Sequence, residues 1–283
     1  MAAGEEHDAP LPGGSTDPMM RQQANSFIDG LPVTLFHDAT QHSWARELEA
    51  HAHVVEDEFC SVIEGGELER RGNNVWIGLG DIRDETTVAY GPEWRTLGLL
   101  DRGVWDPVNT KLFPRTTALL HDSGTPCVEA FFAKMPAETS IQAHSDGCNF
   151  HLTSHLGIVV PEGKCWLKVG EEQRFWQRGK VMLFDTSVMH SAANEAPTDR
   201  YVLMLRVWHP SLSDLEVEAL SWIFKCLDDP ALLAPVAEVS ETPARATARA
   251  KQVPAKGGSR QERRLAAKAA KKKAKKAATA GFG

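Results

Sequence analysis

The chain has 283 residues, 42% of them hydrophobic, with 31 Lys and Arg set against 38 Asp and Glu. That is enough apolar material for one large domain with a real core, and it excludes the weakly hydrophobic, highly charged composition of a wholly disordered chain. No run approaches the roughly 18 uninterrupted apolar residues of a membrane-spanning helix. The five cysteines, Cys60, Cys127, Cys148, Cys165 and Cys226, are widely spaced and form no CxxC pair. This argues against structural zinc and a disulfide framework and fits a reducing compartment. The net charge of -7 is unevenly spread: residues 244–283 carry thirteen Lys and Arg against Glu262 alone, a balance of +12 that leaves -19 for residues 1–243. An acidic body and a basic tail share one chain.

In chain order, residues 1–30 are acidic and rich in Pro and Gly, a composition that predicts disorder. They lack the basic start and apolar stretch of a secretory signal, so the expected location is intracellular: cytoplasmic, or nuclear given the Lys-rich tail. Order is expected from about Leu31, with one domain over residues 31–230. Apolar residues at helical spacing predict a helix over residues 43–54, with Ser43 as its N-cap. From Cys127 onward, β-type runs recur: CVEAFFAKM, FHLTSHLGIVV, CWLKVG, KVMLFDT and RYVLMLRVWH. Breaks such as PAE, PEGK, GEEQ, RGK and NEAPTD separate them, which predicts an antiparallel sandwich or barrel rather than alternating β and α units. A second helix follows, capped by Ser213, with Leu215, Val217, Leu220, Ile223 and Phe224 as its buried stripe. Residues 231–283 read as a flexible basic tail, in which 260–278 can form a solvated Ala/Lys helix.

The chemistry concentrates in AHSDGCNFHLTSHLG and around KVMLFDTSVMH. Extended backbone puts His144 and Asp146, two residues apart, on one face. His190 comes from a distant run able to fold back alongside. Two imidazoles and a carboxylate on one side of a metal, with three positions left open, make the facial site of non-haem Fe(II) oxygenases. Arg200, ten residues after His190, starts a strand and can pair in a fork with the carboxylate of an anionic co-substrate. On the run after His144, the residues His151, Thr153 and His155 share a face, which lets His155 hydrogen-bond the other end of that co-substrate. The competing reading of Asp146 is a turn cap in DGCN. A zinc pair of His151 and His155 on a helix fails for want of the glutamate of HExxH and because the run is β-type.

With these residues in place, the chain resembles the aspartyl/asparaginyl β-hydroxylases. The likeness lies in NFHLTSHLGIVVPEGKCWLKVG and FWQRGKVMLFDTSVMHSAANEAPTDRYVLMLRVWHP, more weakly in EWRTLGLL and KLFPRTTALL, and covers residues 94–210. The resemblance implies a double-stranded β-helix (jelly-roll, cupin-like) core with flanking helices, and hydroxylation of an unactivated C–H bond with Fe(II), 2-oxoglutarate and dioxygen. His144 and His190 match the family's iron ligands, Arg200 its 2-oxoglutarate arginine and His155 its second co-substrate contact; Trp208, His209 and Pro210 match a structural signature. Two positions depart from the pattern. Asp146 stands where well-known animal members have glycine, which leaves its role as iron ligand or outer partner open, and Arg206 stands where an acidic residue is usual. The expected acceptor is an aspartyl- or asparaginyl-type side chain of an intracellular peptide. A lipid, a free amino acid, a nucleic acid and a non-catalytic binding role on the same barrel are the alternatives. The basic tail reads as a solubilising end, or as a contact for RNA or an acidic partner.

Overall fold

The computed structural model describes residues 20–66, 77–78 and 94–233. The expected Ala/Lys helix and residues 1–19 lie outside these. In chain order the strands are β1 (Ala24–Ser26), β2 (Phe36–His37), β3 (Ile77–Gly78), β4 (Arg95–Asp101), β5 (Val104–Trp105), β6 (Cys127–Met135), β7 (Thr139–His144), β8 (Gly147–Cys148), β9 (His151–Val159), β10 (Cys165–Val169), β11 (Glu172–Phe175), β12 (Val181–Phe184), β13 (His190–Asn194) and β14 (Arg200–Trp208). The helices are α1 (Ser43–Ala50), α2 (Ala52–Glu64), α3 (Pro114–Asp122) and α4 (Asp214–Asp228).

A major sheet runs β2-β12-β9-β14-β6-β4-β3, with β5 on β4, and a minor sheet runs β11-β10-β13-β7. The chain passes from β6 in the major sheet to β7 in the minor one, back to β9, across to β10 and β11, then through β12, β13 and β14 in alternate sheets. This winding is a double-stranded β-helix. The runs singled out by hydrophobic pattern became β6, β9, β10, β12 and β14. The strands β7, β11 and β13 did not stand out, because TSIQAH, EQRF and HSAAN are short, polar or small and are held by backbone pairing.

Strand parity divides the core. Along β14, Leu203, Leu205 and Val207 join Leu152 and Leu156 of β9 under the helices, where Leu48, Val55 and Phe59 of α1 and α2 cover the outer face of the major sheet. Val202 and Met204 point the other way, between the sheets, with Met135, Leu167, Val169, Trp176 and Phe184. Successive side chains of a strand face opposite sides, so the same alternation sends Arg200 and Arg206 of β14, and Thr153 and His155 of β9, into the space between the sheets. A strand buried on both faces carries its site residues on one parity only.

Four expectations are corrected. Residues 20–30 are structured: Ala24 and Ser26 pair in parallel with Gly147 and Cys148, Gln23 N–H donates to the Ser187 carbonyl at 2.6 Å, and the Asn149 side chain bonds both backbone groups of Ile28. Backbone pairing orders a segment that has little apolar content of its own. The first helix breaks at His51 and resumes as α2, ten residues beyond the expected end, because Ala52, Val55, Phe59 and Val62 continue the buried face. His42 rather than Ser43 is its cap residue, without a side-chain bond. In α4, Leu215 and Ile223 are exposed and Cys226 is buried; a narrower face of Val217, Leu220 and Phe224 is half-buried. The expected cap is present, as Ser213 and Glu216 form a reciprocal capping box. The chain divides into two compact units, Met1–Val217 and Glu218–Gly283. The fold and site described here belong to the first. Among the described residues no helix is long and apolar enough to cross a membrane.

The WHP run has a structural role. His209 is 2% exposed; its Nδ1 accepts from Ser211 N–H and its Nε2 donates to the Pro32 carbonyl, while its ring meets that of His37 edge-on at 6.0 Å. Burial, then the neighbouring His209 and His42, holds the His37 pKa at about 4, and burial lowers that of His209. Both are neutral in the fold. The unfolded chain takes up their protons near pH 6.5, so it binds more protons than the native state between about pH 6.5 and 4, and stability falls as pH drops through that window. Urea midpoints of the metal-free chain should fall from pH 7 to pH 4.5, and His37→Gln should make the fall shallower.

Candidate metal site and anion pocket

His144 ends β7 and His190 begins β13, and the antiparallel register sets them directly opposite. Their ring centroids are 4.3 Å apart. Each ring is oriented the same way: Nδ1 of His144 lies 2.8 Å from the Gln142 carbonyl and Nδ1 of His190 lies 3.0 Å from the Val188 carbonyl. A carbonyl can only accept, so the proton sits on Nδ1 and Nε2 is the unprotonated nitrogen, the arrangement that fixes metal-binding imidazoles. Asp146 lies in the connection between β7 and β8, with its N–H donated to the Thr186 carbonyl at 2.9 Å. Its Oδ1 is 3.8 Å from Nε2 of His144. Ligand atoms of His144, Asp146 and His190 all lie within 4.8 Å of one another, a set that could hold a metal ion.

Charge supports the geometry. Burial would raise the Asp146 pKa, but the Arg206 guanidinium, then His190 and His144, then the Thr186 hydroxyl hold it at about 2, so the group is a carboxylate. Burial lowers His190 to about 4 against the pull of Asp146. Both are in the protonation state that a metal requires.

The same cavity, about 40 Å³, holds a second feature. Arg200 is 2% exposed, and its Nε and Nη1 have no hydrogen-bond partner among the described residues. Its guanidinium lies 4.3 Å from the ring centre of Trp176. Burial brings its pKa down to about 10, which leaves it charged at neutral pH. A buried cation with unused N–H groups is costly unless an anion completes it. Trp176 also sets His155. The indole N–H donates to Nδ1 of His155 at 3.1 Å, so the imidazole proton is on Nε2. That Nε2 is buried and has no partner among the described residues. Burial, then Arg200, lowers the His155 pKa well below its ordinary value, which keeps the ring neutral. Two sets of unused donors therefore share one cavity with the Asp146 carboxylate and the imidazoles of His144 and His190.

Residues 49–210 match the aspartyl/asparaginyl beta-hydroxylase family. The chain belongs to this family. It is 30% identical over 219 residues to the Homo sapiens aspartate beta-hydroxylase domain-containing protein 2, covering 73% of this chain and 56% of that protein. It is 30% identical over 132 residues to the Mus musculus aspartyl/asparaginyl beta-hydroxylase, covering 45% of this chain and 18% of that protein. To the Rhizobium tropici ornithine lipid ester-linked acyl 2-hydroxylase it is 29% identical over 173 residues, covering 60% of this chain and 58% of that protein. The chain thus spans a little over half of the first of these relatives.

In this member of the β-hydroxylase family, all five residues expected at the site, His144, Asp146, His155, His190 and Arg200, line one cavity. Cys148, four residues from His144, stands apart: burial pushes its thiol up to about 11, and its Sγ is 3.8 Å from Nδ1 of His151. Sequence reasoning missed Trp176, which lies beyond the end of β11, where no strand parity could place it. It also missed the segment around Gln23, whose N–H holds the Ser187 carbonyl and whose carbonyl accepts from Ser145 Oγ at 2.7 Å, tying together the connections that follow His144 and precede His190. Trp176→Phe should keep the ring over Arg200 while losing the indole donor. Histidine nitrogen NMR should then change from the Nε2–H form of His155 to a mixture of tautomers, with a stability loss of about 1 kcal/mol.

Proposed function

We propose that the chain is an Fe(II)- and 2-oxoglutarate-dependent dioxygenase that hydroxylates an unactivated C–H bond. The observation that carries this reading is the meeting in one cavity of two imidazoles and a carboxylate with a buried, uncompensated guanidinium. The donor set fits the metal. Two histidines and one carboxylate within 4.8 Å suit Fe(II) and leave positions open, and the unused N–H groups of Arg200 and His155 fit a dicarboxylate. When bound, the iron with 2-oxoglutarate and dioxygen supplies the oxidising power for C–H hydroxylation, with succinate and carbon dioxide as co-products.

The protein's own residues orient and shield. His144 and His190 present Nε2 atoms whose direction their Nδ1–carbonyl bonds already fix. Arg200 offers its planar fork to a carboxylate, and Trp176 stacked against it restricts the fork's rotation. His155 donates from Nε2 toward the same co-substrate. Trp94, Ile141, Leu167, Phe184 and Met204 make the wall apolar, which excludes water from the reacting centre.

An aspartyl- or asparaginyl-type side chain of a peptide or protein is the acceptor that family membership favours. The second reading is an acyl chain, supported by the apolar wall and by the likeness to the Rhizobium tropici acyl hydroxylase. Mass spectrometry after incubation with Fe(II), 2-oxoglutarate and dioxygen separates them by which class of acceptor gains one oxygen atom. Succinate release should require Fe(II). His144→Ala should lower it by more than the ~10–100-fold that loss of an outer partner costs. Arg200→Lys, which keeps charge but loses the fork, should raise the KM for 2-oxoglutarate about tenfold or more. Unchanged turnover in His144→Ala would overturn the reading.

A further inference from the structure

Arg206 is not available as a cation for an acceptor. It stands opposite Glu129 in the β14–β6 register, at the bulge between Arg206 and Val207. Its Nε lies 3.3 Å from Glu129 Oε2, and its Nη2 lies 3.0 Å from Asp146 Oδ2. The guanidinium thus bridges two carboxylates with two different nitrogens, which a lysine ammonium cannot reproduce in the same geometry. The Asp146 side chain is only 8% exposed, so little solvent competes for its oxygens.

The consequence concerns which oxygen Asp146 offers. A carboxylate on a strand connection can rotate and present either oxygen, or both. With Oδ2 on Arg206, Oδ1 is the atom turned toward Nε2 of His144, at 3.8 Å, and the Thr186 hydroxyl is a further partner of the carboxylate. We propose that Arg206, itself fixed by Glu129, is a positioning residue that makes Asp146 a one-oxygen ligand of the metal and so completes the facial set with His144 and His190. This rests on the iron reading above. Partners behind a ligand act in this way by setting its direction, and their loss typically costs 10–100-fold in metal affinity.

Cobalt(II) is the probe, because its visible d–d bands report the ligand set without turnover. The purified full chain is titrated under nitrogen, with thermal unfolding of each metal-free variant as the check on folding. Arg206→Met should weaken Co(II) binding by about 10–100-fold and shift the bands. Glu129→Gln, which leaves the guanidinium in place, should do the same to a smaller extent, and Arg206→Lys should restore only part of the affinity. In an Asp146→Ala background, Arg206→Met should cause no further loss, because its effect passes through the carboxylate. Wild-type affinity and an unshifted spectrum in Arg206→Met would overturn the proposal. So would an equal further loss in the Asp146→Ala background, the mark of a general structural role. Failure of the wild-type chain to bind Co(II) at all would instead overturn the iron reading, and the proposal with it.

Discussion

The antiparallel register between β7 and β13 is the constraint on which the site depends. It sets His190 opposite His144, and because strand side chains alternate, a slip of one residue would turn one imidazole out of the cavity. Polar anchoring holds that register where hydrophobic pattern is weak. The buried Asn194 side chain, at the far end of β13, bonds the carbonyls of Met135, Pro136 and Thr198 and accepts from Ala196 N–H. One amide thus ties the minor sheet to the end of β6 and to the turn before β14. On its other side, β13 is paired along its length with β10.

A second constraint is electrostatic. The interior contains two arginines on the same face of β14, and each is accommodated differently. Arg206 meets Glu129 and Asp146, so its charge is balanced within the protein. Arg200 rests on the face of Trp176, a contact worth about 2 kcal/mol when desolvated, and keeps unused donors. The difference separates a guanidinium paired with carboxylates of the protein from one whose Nε and Nη1 have no partner among the described residues.

Much of the fold and most of the site were legible in the chain. The runs that became β6, β9, β10, β12 and β14 are dense in apolar residues, and parity within β9 correctly grouped Thr153 with His155. The minor-sheet strands β7, β11 and β13 were not visible, although β7 and β13 carry the two histidines, because their stability comes from backbone ladders and from Asn194 rather than from an apolar face of their own. The segment around Gln23 was hidden for the same reason: its order comes from hydrogen bonds to Ser145, Gly147 and Ser187. In α4 the capping box was plain in the spacing of Ser213 and Glu216, a local interaction. The buried face was misjudged, because apolar spacing does not say which side meets a partner.

By itself, then, the sequence determined the local and periodic features: strand parity, a helix cap, the HxD spacing, and the residue types that suit an iron site and an anion. Each rests on geometry repeated within a few residues. Only the tertiary structure decided that His144 faces His190, that Trp176 selects the tautomer of His155, and that Arg206 bridges Asp146 and Glu129. Those relations join residues up to 77 positions apart, and distances of a few ångströms between them follow from sheet register and packing, which no short window of sequence contains.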